Sequence, residues 1–352
     1  MKKELSANKW VINTLILMVT IVLLIGCFVA LVDPFFHFHG PIGGLSYPLL
    51  DERYQNDGIA RHYDYDAIIA GTSIAQNFKP SEVETLWGTK TIKQTAASAT
   101  FYEQDGYIRR ALNYHPNVKY VFRSLDLTRL NTGLKDESYE DIPNYLYDQN
   151  PLNDVRYLYN KDVILKAVAV LNYTRAGNQT TSQDLYGAWY PYATYGREQV
   201  LSGLIDYSSF KDELEMTAED EARIRENVET NILQTAVQHP DTEFYVFVPP
   251  YSAAYWYGMV QSKQLAYTIE AERIAIECLL EAPNIKVYDF SNHIDMTTNL
   301  DNYMDTLHYG EWINFQMLQW MHDDEGRITQ GNIDTYFEQV KKLYQEYPYD
   351  YE

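Results

Sequence analysis

Cysteine is scarce in this chain. Its 352 residues include only two cysteines, Cys27 in an apolar segment and Cys278 in a predicted helix. We therefore expect no internal disulfide, even in an oxidising compartment, and we expect Cys278 to be a small core residue.

Basic residues are few as well. The 49 aspartates and glutamates outnumber the 28 lysines and arginines, which gives a formal charge of −21. That balance argues against a nucleic-acid partner and against a basic patch for anionic lipids. The acidic side chains are interpreted as a solvated surface rather than as a binding site.

No internal repeat or linker divides the chain after its first 64 residues. With 46% hydrophobic residues, the sequence can bury the core of one domain of about 300 residues in addition to an anchor. We predict a single α/β domain over residues 65–352.

A long apolar run is present near the amino terminus. Residues 10–32 carry no charge, and at about 1.5 Å per residue a helix of this length covers the ~30 Å of bilayer hydrocarbon. Lysines precede the run and Asp33 follows it, so the positive-inside rule predicts a cytoplasmic amino terminus and an extracytoplasmic domain. The predicted segments are a cytoplasmic end at 1–9, a transmembrane anchor at 10–32 and a juxtamembrane stretch at 33–64.

Two kinds of processing compete with an intact anchor. No small-residue cleavage site ends the run, which argues against a removed signal peptide. Residues Leu24–Cys27 resemble a lipoprotein box, with lipidation at Cys27 as the alternative attachment, but Phe28–Val32 continue the apolar run. Either attachment tethers the domain outside the membrane, and the intact anchor is our prediction.

Two histidines and many tyrosines are open to more than one interpretation. His37 and His39 stand at alternate positions, but no acidic or cysteine residue lies directly beside them, so we predict no metal and no cofactor. The 32 tyrosines are consistent with a carbohydrate-binding cleft and equally with a tyrosine-rich core.

Short apolar runs alternate with helical patterns from residue 66 onward, which predicts a parallel sheet with crossover helices. The predicted strands are 67–70, 91–94, 118–122, 244–248 and 286–290, and the predicted helices begin near 79 and cover 101–113, 162–171, 217–238, 262–280, 311–322 and 333–347. Residues 54–64 are expected to lead into the first strand. Residues 131–203 form a tyrosine-rich insertion that we expect to shape substrate access, with Trp189, Tyr192 and, outside it, Tyr251 as candidate substrate-binding residues.

Ser73 follows the first predicted strand, whose apolar residues end at Gly71. Ligands bind at the carboxyl ends of parallel strands, and backbone N–H groups that turn into a helix can face an oxyanion. Ser73 at this place suits a nucleophile, but such a serine needs a base and an orienting acid.

Asp305 and His308 offer both groups in one loop. The Asp305 carboxylate can reach one imidazole nitrogen of His308 while the other nitrogen faces Ser73. The turn at Ser73 supplies one candidate backbone oxyanion donor. Each part alone also fits a simple turn or helix cap, whereas the combination is more specific.

The order Gly71-Thr72-Ser73 after the first strand and Asp305-x-x-His308 before the last helices resembles the SGNH (GDSL-like) hydrolase family. This resemblance implies a flavodoxin-like three-layer α/β sandwich with a central parallel sheet and a Ser-His-Asp triad. With its amino-terminal anchor, the chain is similar to the membrane-anchored extracytoplasmic branch, which includes the DltD proteins of teichoic-acid alanylation and the AlgJ/AlgX proteins of alginate acetylation.

The chain departs from the family pattern in two blocks. The glycine and asparagine that the family contributes to its oxyanion hole do not occur in the Gly-x-Asn-Asp form, and Ser98 and Asp126 stand in the corresponding places, after the second and third strands. By this resemblance the backbone N–H of Ser98 is the second candidate oxyanion donor. Each missing donor costs about 10²- to 10³-fold in rate. We predict that Asp126 instead orients Arg123 or Arg129.

The resemblance implies a membrane-tethered serine esterase or O-acyltransferase that acts on small acyl esters of a cell-envelope glycopolymer, polysaccharide or teichoic-acid-like, through an acyl-serine. The alternative is a catalytically inactive SGNH-fold accessory protein that binds the polymer or a membrane-bound O-acyltransferase.

Overall fold

The computed structural model describes residues 7–139, 143–148 and 150–351. The chain forms two compact units. The first unit holds the described residues up to His62 together with those of 143–181, and the second holds Tyr63 to 139 together with those from Ser182 onward. The predicted insertion at 131–203 is therefore divided between the two units.

The helices of the described residues are numbered here in chain order. They are α1 (Ala7–Val32), α2 (Glu52–His62), α3 (Ser73–Gln76), α4 (Pro80–Trp87), α5 (Phe101–Tyr114), α6 (Val155–Leu158), α7 (Lys161–Arg175), α8 (Arg197–Ser202), α9 (Ala218–Val228), α10 (Gln234–Gln238), α11 (Ala253–Gln261), α12 (Leu265–Leu279), α13 (Ile294–Thr297), α14 (Glu311–His322) and α15 (Ile333–Glu346). A π-helical turn, Glu229–Leu233, joins α9 to α10.

The first unit is built on α1, which is long and apolar enough to cross a membrane. Residues 10–24 are almost all exposed, whereas Val29 near the end of α1 is buried with Phe35, Tyr157 and Val163. The buried Asp33 carboxylate accepts a hydrogen bond of 2.6 Å from the Tyr157 hydroxyl. The carboxyl end of α1 thus belongs to the core of the first unit.

The second unit contains a sheet of six described strands in the order β2-β1-β3-β4-β5-β6. Strands β1 to β5 are parallel and β6 is antiparallel to β5. The strands are β1 (Ala67–Gly71), β2 (Thr91–Thr95), β3 (Tyr120–Ser124), β4 (Glu243–Val248), β5 (Ile285–Asp289) and β6 (Arg327–Ile328). The protein is therefore an α/β protein with a mostly parallel sheet and one candidate membrane helix.

Helices cover both faces of the sheet. Successive residues of a strand point to opposite faces, and in β3 the Phe122 ring lies 4.7 Å from Trp87 of α4. Arg123, the next residue, donates instead to the Asn231 carbonyl in the π-helical turn, at 2.8 Å. Every residue of β1 is buried between these layers, which explains its continuous apolar sequence.

Several elements differ from the sequence predictions. Strand β3 begins two residues later than predicted, and the predicted helix 217–238 contains the π-helical turn. Helices α2 and α11 and strand β6 were not predicted. Cys278 is buried, as expected.

Candidate active site

The turn after β1 holds Ser73 at the carboxyl edge of the sheet. Gly71 has a φ of +153°, and a Cβ there would lie 2.1 Å from the Ser124 hydroxyl and 2.7 Å from the Ala75 side chain. Only glycine fits such a close approach. Thr72 then caps α3, so that Ser73 is the first residue of this short helix and is partly exposed.

His308 and Asp305 complete a hydrogen-bonded chain with Ser73. The Ser73 Oγ lies 2.8 Å from His308 Nε2, and His308 Nδ1 lies 2.8 Å from Asp305 Oδ2. An ionised carboxylate only accepts hydrogen bonds, so the proton of the neutral imidazole sits on Nδ1 and Nε2 is free to accept from Ser73. The structure brings together the three residues that the sequence suggested for the triad.

The pKa of Asp305 is shifted by its surroundings. Burial raises it, but the hydrogen bond and charge of His308 and the backbone N–H groups of His308 and Leu307 outweigh that effect and lower it below the usual value. Both N–H groups donate to Asp305 Oδ1 at 2.8 Å. Asp305 is therefore an ionised acceptor at neutral pH.

The loop that carries Asp305 and His308 is closed by a β-bridge and is hydrogen-bonded to the residues after β4. Tyr303 and Tyr309 form an antiparallel bridge that closes the loop, and the Tyr303 hydroxyl donates to the Pro250 carbonyl at 2.7 Å. The Ser252 hydroxyl donates to the Thr306 carbonyl at 2.8 Å. The residues after β4 thus hold the loop beside the Ser73 turn, a role that the sequence did not reveal.

Asp126 contacts the Ser73 turn through Thr72, and the prediction that it orients Arg123 or Arg129 is wrong. Its carboxylate accepts hydrogen bonds from Thr72 at 2.9 Å and from the Tyr251 hydroxyl at 2.7 Å, and not from Arg123 or Arg129. Tyr251, a predicted substrate-binding residue, is fully buried and does not reach the surface. Burial and then the charge of Asp126 raise the pKa of Tyr251, which keeps its hydroxyl a donor.

Two backbone N–H groups are available near the turn. Within the part of the chain that the structure describes, neither the Ser73 nor the Ser98 N–H donates a hydrogen bond. The loop that holds Ser98 adjoins the Ser73 turn, because the Ala96 N–H donates to the Gly71 carbonyl at 3.1 Å. Ser98 itself has a positive φ of 59°.

Trp189 packs against the triad. Its indole N–H donates to the Ser73 carbonyl at 2.9 Å, and its ring meets the His308 ring edge-on at 5.3 Å. The Asn77 side-chain oxygen accepts a hydrogen bond from the backbone N–H of Trp189 at 3.0 Å, which attaches the segment around Trp189 to the end of α3. Tyr192, the other predicted substrate-binding residue of this segment, is 90% exposed.

The contact of Asn77 with Trp189 was not predicted from the sequence, because an asparagine after a short helix is an ordinary cap.

The described residues contain no cluster of three or more His, Cys, Asp or Glu side chains that could hold a metal ion. His37 lies 2.9 Å from Asp154, and both ring nitrogens of His39 face backbone carbonyls.

Comparison of the chain with models of known protein families and with curated proteins gave no match. A functional assignment therefore rests on the residues of the site.

Proposed function

We propose that this protein is a membrane-tethered serine esterase or O-acyltransferase that acts on small acyl esters of a cell-envelope glycopolymer. The observation that carries the proposal is the continuous hydrogen-bonded chain from Ser73 through His308 to Asp305. A serine hydroxyl is a poor nucleophile unless a base removes its proton, and this arrangement supplies the base and holds its tautomer.

The chemistry proceeds in two halves. His308 Nε2 takes the Ser73 proton as Oγ attacks the acyl carbonyl, and the imidazolium then protonates the leaving sugar oxygen to give acyl-Ser73. In the second half, His308 takes a proton from water or from an acceptor hydroxyl as that oxygen attacks the acyl carbonyl, and the imidazolium returns the proton to Ser73 Oγ as the acyl–Oγ bond breaks. Water gives hydrolysis, and a second hydroxyl gives transfer.

The oxyanion of each tetrahedral intermediate needs hydrogen-bond donors. The Ser73 N–H at the start of α3 is one candidate, and the Ser98 N–H is the second. Backbone donors of this kind are worth about 10²- to 10³-fold each in rate.

The architecture supports an SGNH-type fold. The order β2-β1-β3-β4-β5 is that of flavodoxin-like doubly wound sheets, whose ligands bind at the carboxyl ends of the strands. Ser73 lies at that edge, in the turn after β1, and the Asp305–His308 loop is fastened to the residues that follow β4.

The proposed location is the outer face of a membrane, with the amino terminus in the cytoplasm. Helix α1 is long and apolar enough to span the bilayer, and the lysines before it favour this orientation. Lipidation at Cys27, which is exposed on α1, is the alternative attachment.

One observation favours a second candidate function, an inactive accessory protein that binds the polymer or a membrane-bound O-acyltransferase. The family's asparagine donor is absent, and the carboxylate of Asp126 lies below the Ser73 turn in its place. A fixed negative charge near an oxyanion opposes its formation.

Labelling by a serine-directed fluorophosphonate tests the proposal on the full-length protein in detergent. We expect the wild type to label, and we expect Ser73→Ala and His308→Ala to lose at least nine-tenths of the label while they keep the wild-type melting temperature. Ser208→Ala, at an exposed serine of the same unit, is the matched control and should label fully.

Equal labelling of wild type and Ser73→Ala would show that another residue reacts. A folded wild type that takes up no label would favour the accessory function, which predicts that an integral-membrane acyltransferase is recovered when the protein is purified from its own membranes.

A further inference from the structure

A row of aromatic rings leads away from the proposed base. The Trp189 ring lies 5.3 Å from His308, Tyr195 lies 6.5 Å from Trp189, and Trp312 lies 5.1 Å from Tyr195. Trp312 at the end of this row is 48% exposed, so about half of a large apolar side chain is open to solvent.

The indole of Trp312 packs against the backbone of Gly310. A Cβ on Gly310 would lie 2.2 Å from the ring, so the ring rests on the bare backbone two residues after His308. Gly310 has a φ of −65°, which any residue can adopt. Glycine is therefore required here because a side chain would collide with the indole, and not because of the backbone conformation. The Trp312 N–H donates to Asn302 at 3.4 Å. The exposed ring is therefore fixed in advance of any ligand.

The charge beside these rings is negative. Glu311 directly precedes Trp312 in the first turn of α14, which places a carboxylate next to the row. Burial and then the charge of Glu311 raise the pKa of Tyr195 to about 12. The whole chain carries a formal charge of −21. A negative surface of this kind repels a phosphate or uronate polymer.

We propose that Trp312, with the Tyr195 ring packed edge-on against it, forms an aromatic platform that binds a sugar ring of an uncharged glycan and presents its ester to Ser73. Aromatic rings offer a flat apolar face to the C–H face of a sugar at little cost in conformational entropy. This inference rests on the proposed function and narrows its substrate from glycopolymers in general to neutral ones.

Binding is measured on full-length Ser73→Ala protein, which cannot turn over an ester, in a detergent without a sugar head group. The probes are neutral hexasaccharides of β-linked glucose, xylose and N-acetylglucosamine, with oligo(glycerol phosphate) as the anionic probe, and the method is titration calorimetry. We expect at least one neutral hexasaccharide to bind and the glycerol phosphate oligomer not to bind.

The variants separate the platform from general loss of structure. Trp312→Ala and Gly310→Ala, the second of which displaces the indole sterically, should each weaken binding about tenfold, the effect of ~1.4 kcal/mol. Trp312→Phe should restore most of the affinity. Trp320→Ala, on the same helix but stacked on His293, is the control and should stay within twofold.

The platform is wrong if no neutral hexasaccharide binds, if Trp312→Ala leaves the affinity unchanged, or if the anionic oligomer is preferred. Fluorophosphonate labelling of the wild type reports separately on Ser73. If the wild type is labelled but no glycan binds, the platform is contradicted and the esterase proposal stands. If a glycan binds but the wild type is not labelled, the platform stands and the catalytic function is contradicted.

Discussion

At the scale of single residues, Asp305 has two tasks that its two oxygens divide between them. Oδ1 accepts hydrogen bonds from the backbone N–H groups of Leu307 and His308, which shapes the loop, and Oδ2 accepts a hydrogen bond from the Nδ1–H group of His308. The carboxylate thereby fixes both where the imidazole lies and which of its nitrogens is free to accept the Ser73 proton.

Replacement of Asp305 by asparagine should therefore abolish turnover without unfolding the loop. The amide oxygen can still accept the backbone N–H groups, but the amide NH₂ beside Nδ1 favours the imidazole tautomer whose Nε2 carries the proton. We expect kcat for p-nitrophenyl acetate to fall about 10⁴-fold, the loss typical of this change in a triad, with a melting temperature close to that of the wild type.

The control for this change is Asp323→Asn. Asp323 also lies 3.0 Å from a histidine Nδ1, that of His322, but on the exposed surface. Its kcat should match that of the wild type. Turnover by Asp305→Asn within tenfold of the wild type would contradict the assigned role of Asp305.

The site was predictable where its contacts are local or follow from strand order. Asp305 and His308 are three positions apart in one loop, and Ser73 meets them because parallel strands end at one edge. Two of the partners of Asp126, the hydroxyls of Thr72 and Tyr251, were not predictable, because they reach it from 54 and 125 positions away. Arg123 looked like a better partner by charge, but alternation along β3 turns it toward the opposite layer.

At the scale of elements, α12 meets β5 through two buried acids. Glu272 of α12 and Asp289 of β5 are both fully buried. Glu272 makes no ion pair with any cation that the structure describes. Burial and then the charge of Asp289 raise the pKa of Glu272 well above its ordinary range.

This pair should make stability fall as pH rises. Because the folded pKa of Glu272 exceeds its unfolded value, its contribution is complete below the unfolded value of about 4.3 and is lost as pH rises toward the folded value. Glu272→Gln removes that loss. We expect its free energy of unfolding to exceed that of the wild type by an amount that grows between pH 5 and 8, at no more than about 1.4 kcal/mol per pH unit, and its melting temperature to rise with it.

Thermal unfolding followed by circular dichroism across this range is the measurement. Glu277→Gln serves as the control, since Glu277 lies on the same helix, is partly exposed and pairs with arginines. A difference between Glu272→Gln and wild type that stays constant or shrinks as pH rises would exclude the explanation.

Elements were predictable where burial leaves a simple pattern. Strands covered on both faces read as apolar runs, which is why β1, β4 and β5 were found within two residues. Strand β2 was found as closely although Ile92 is its only apolar residue. Helix α2 was missed because three of the side chains that it buries are polar, Gln55, Asn56 and Asp57. Gln55 donates to the Pro34 and Pro48 carbonyls. Strand β6 has only two residues and carries no periodicity.

At the scale of the whole molecule, the candidate anchor and the fold of the first unit share residues. Val29 at the end of α1 and Phe35 just after it are buried with Leu146, Tyr157 and Val163. The Tyr157 hydroxyl, whose pKa is raised by burial and then by Asp33, donates to the Asp33 carboxylate. The last turns of α1 thus fill part of the core of the first unit.

Deletion of residues 1–39 should therefore destabilise the first unit even in detergent. It removes Val29 and Phe35, each worth about 1.5–3 kcal/mol of burial, and leaves the Tyr157 hydroxyl without its acceptor, at a further ~1–3 kcal/mol. We expect limited proteolysis to cut within 150–181 at least tenfold faster than in the wild type.

The control is a chimera in which residues 10–25 form an unrelated apolar helix and Gly26 onward is retained. It keeps the core and should resist proteolysis as the wild type does. If the deletion variant resists proteolysis as well as the wild type does, α1 does not contribute to the stability of the first unit. If the chimera is cut as fast as the deletion variant, residues 10–25 of α1 contribute to folding as well.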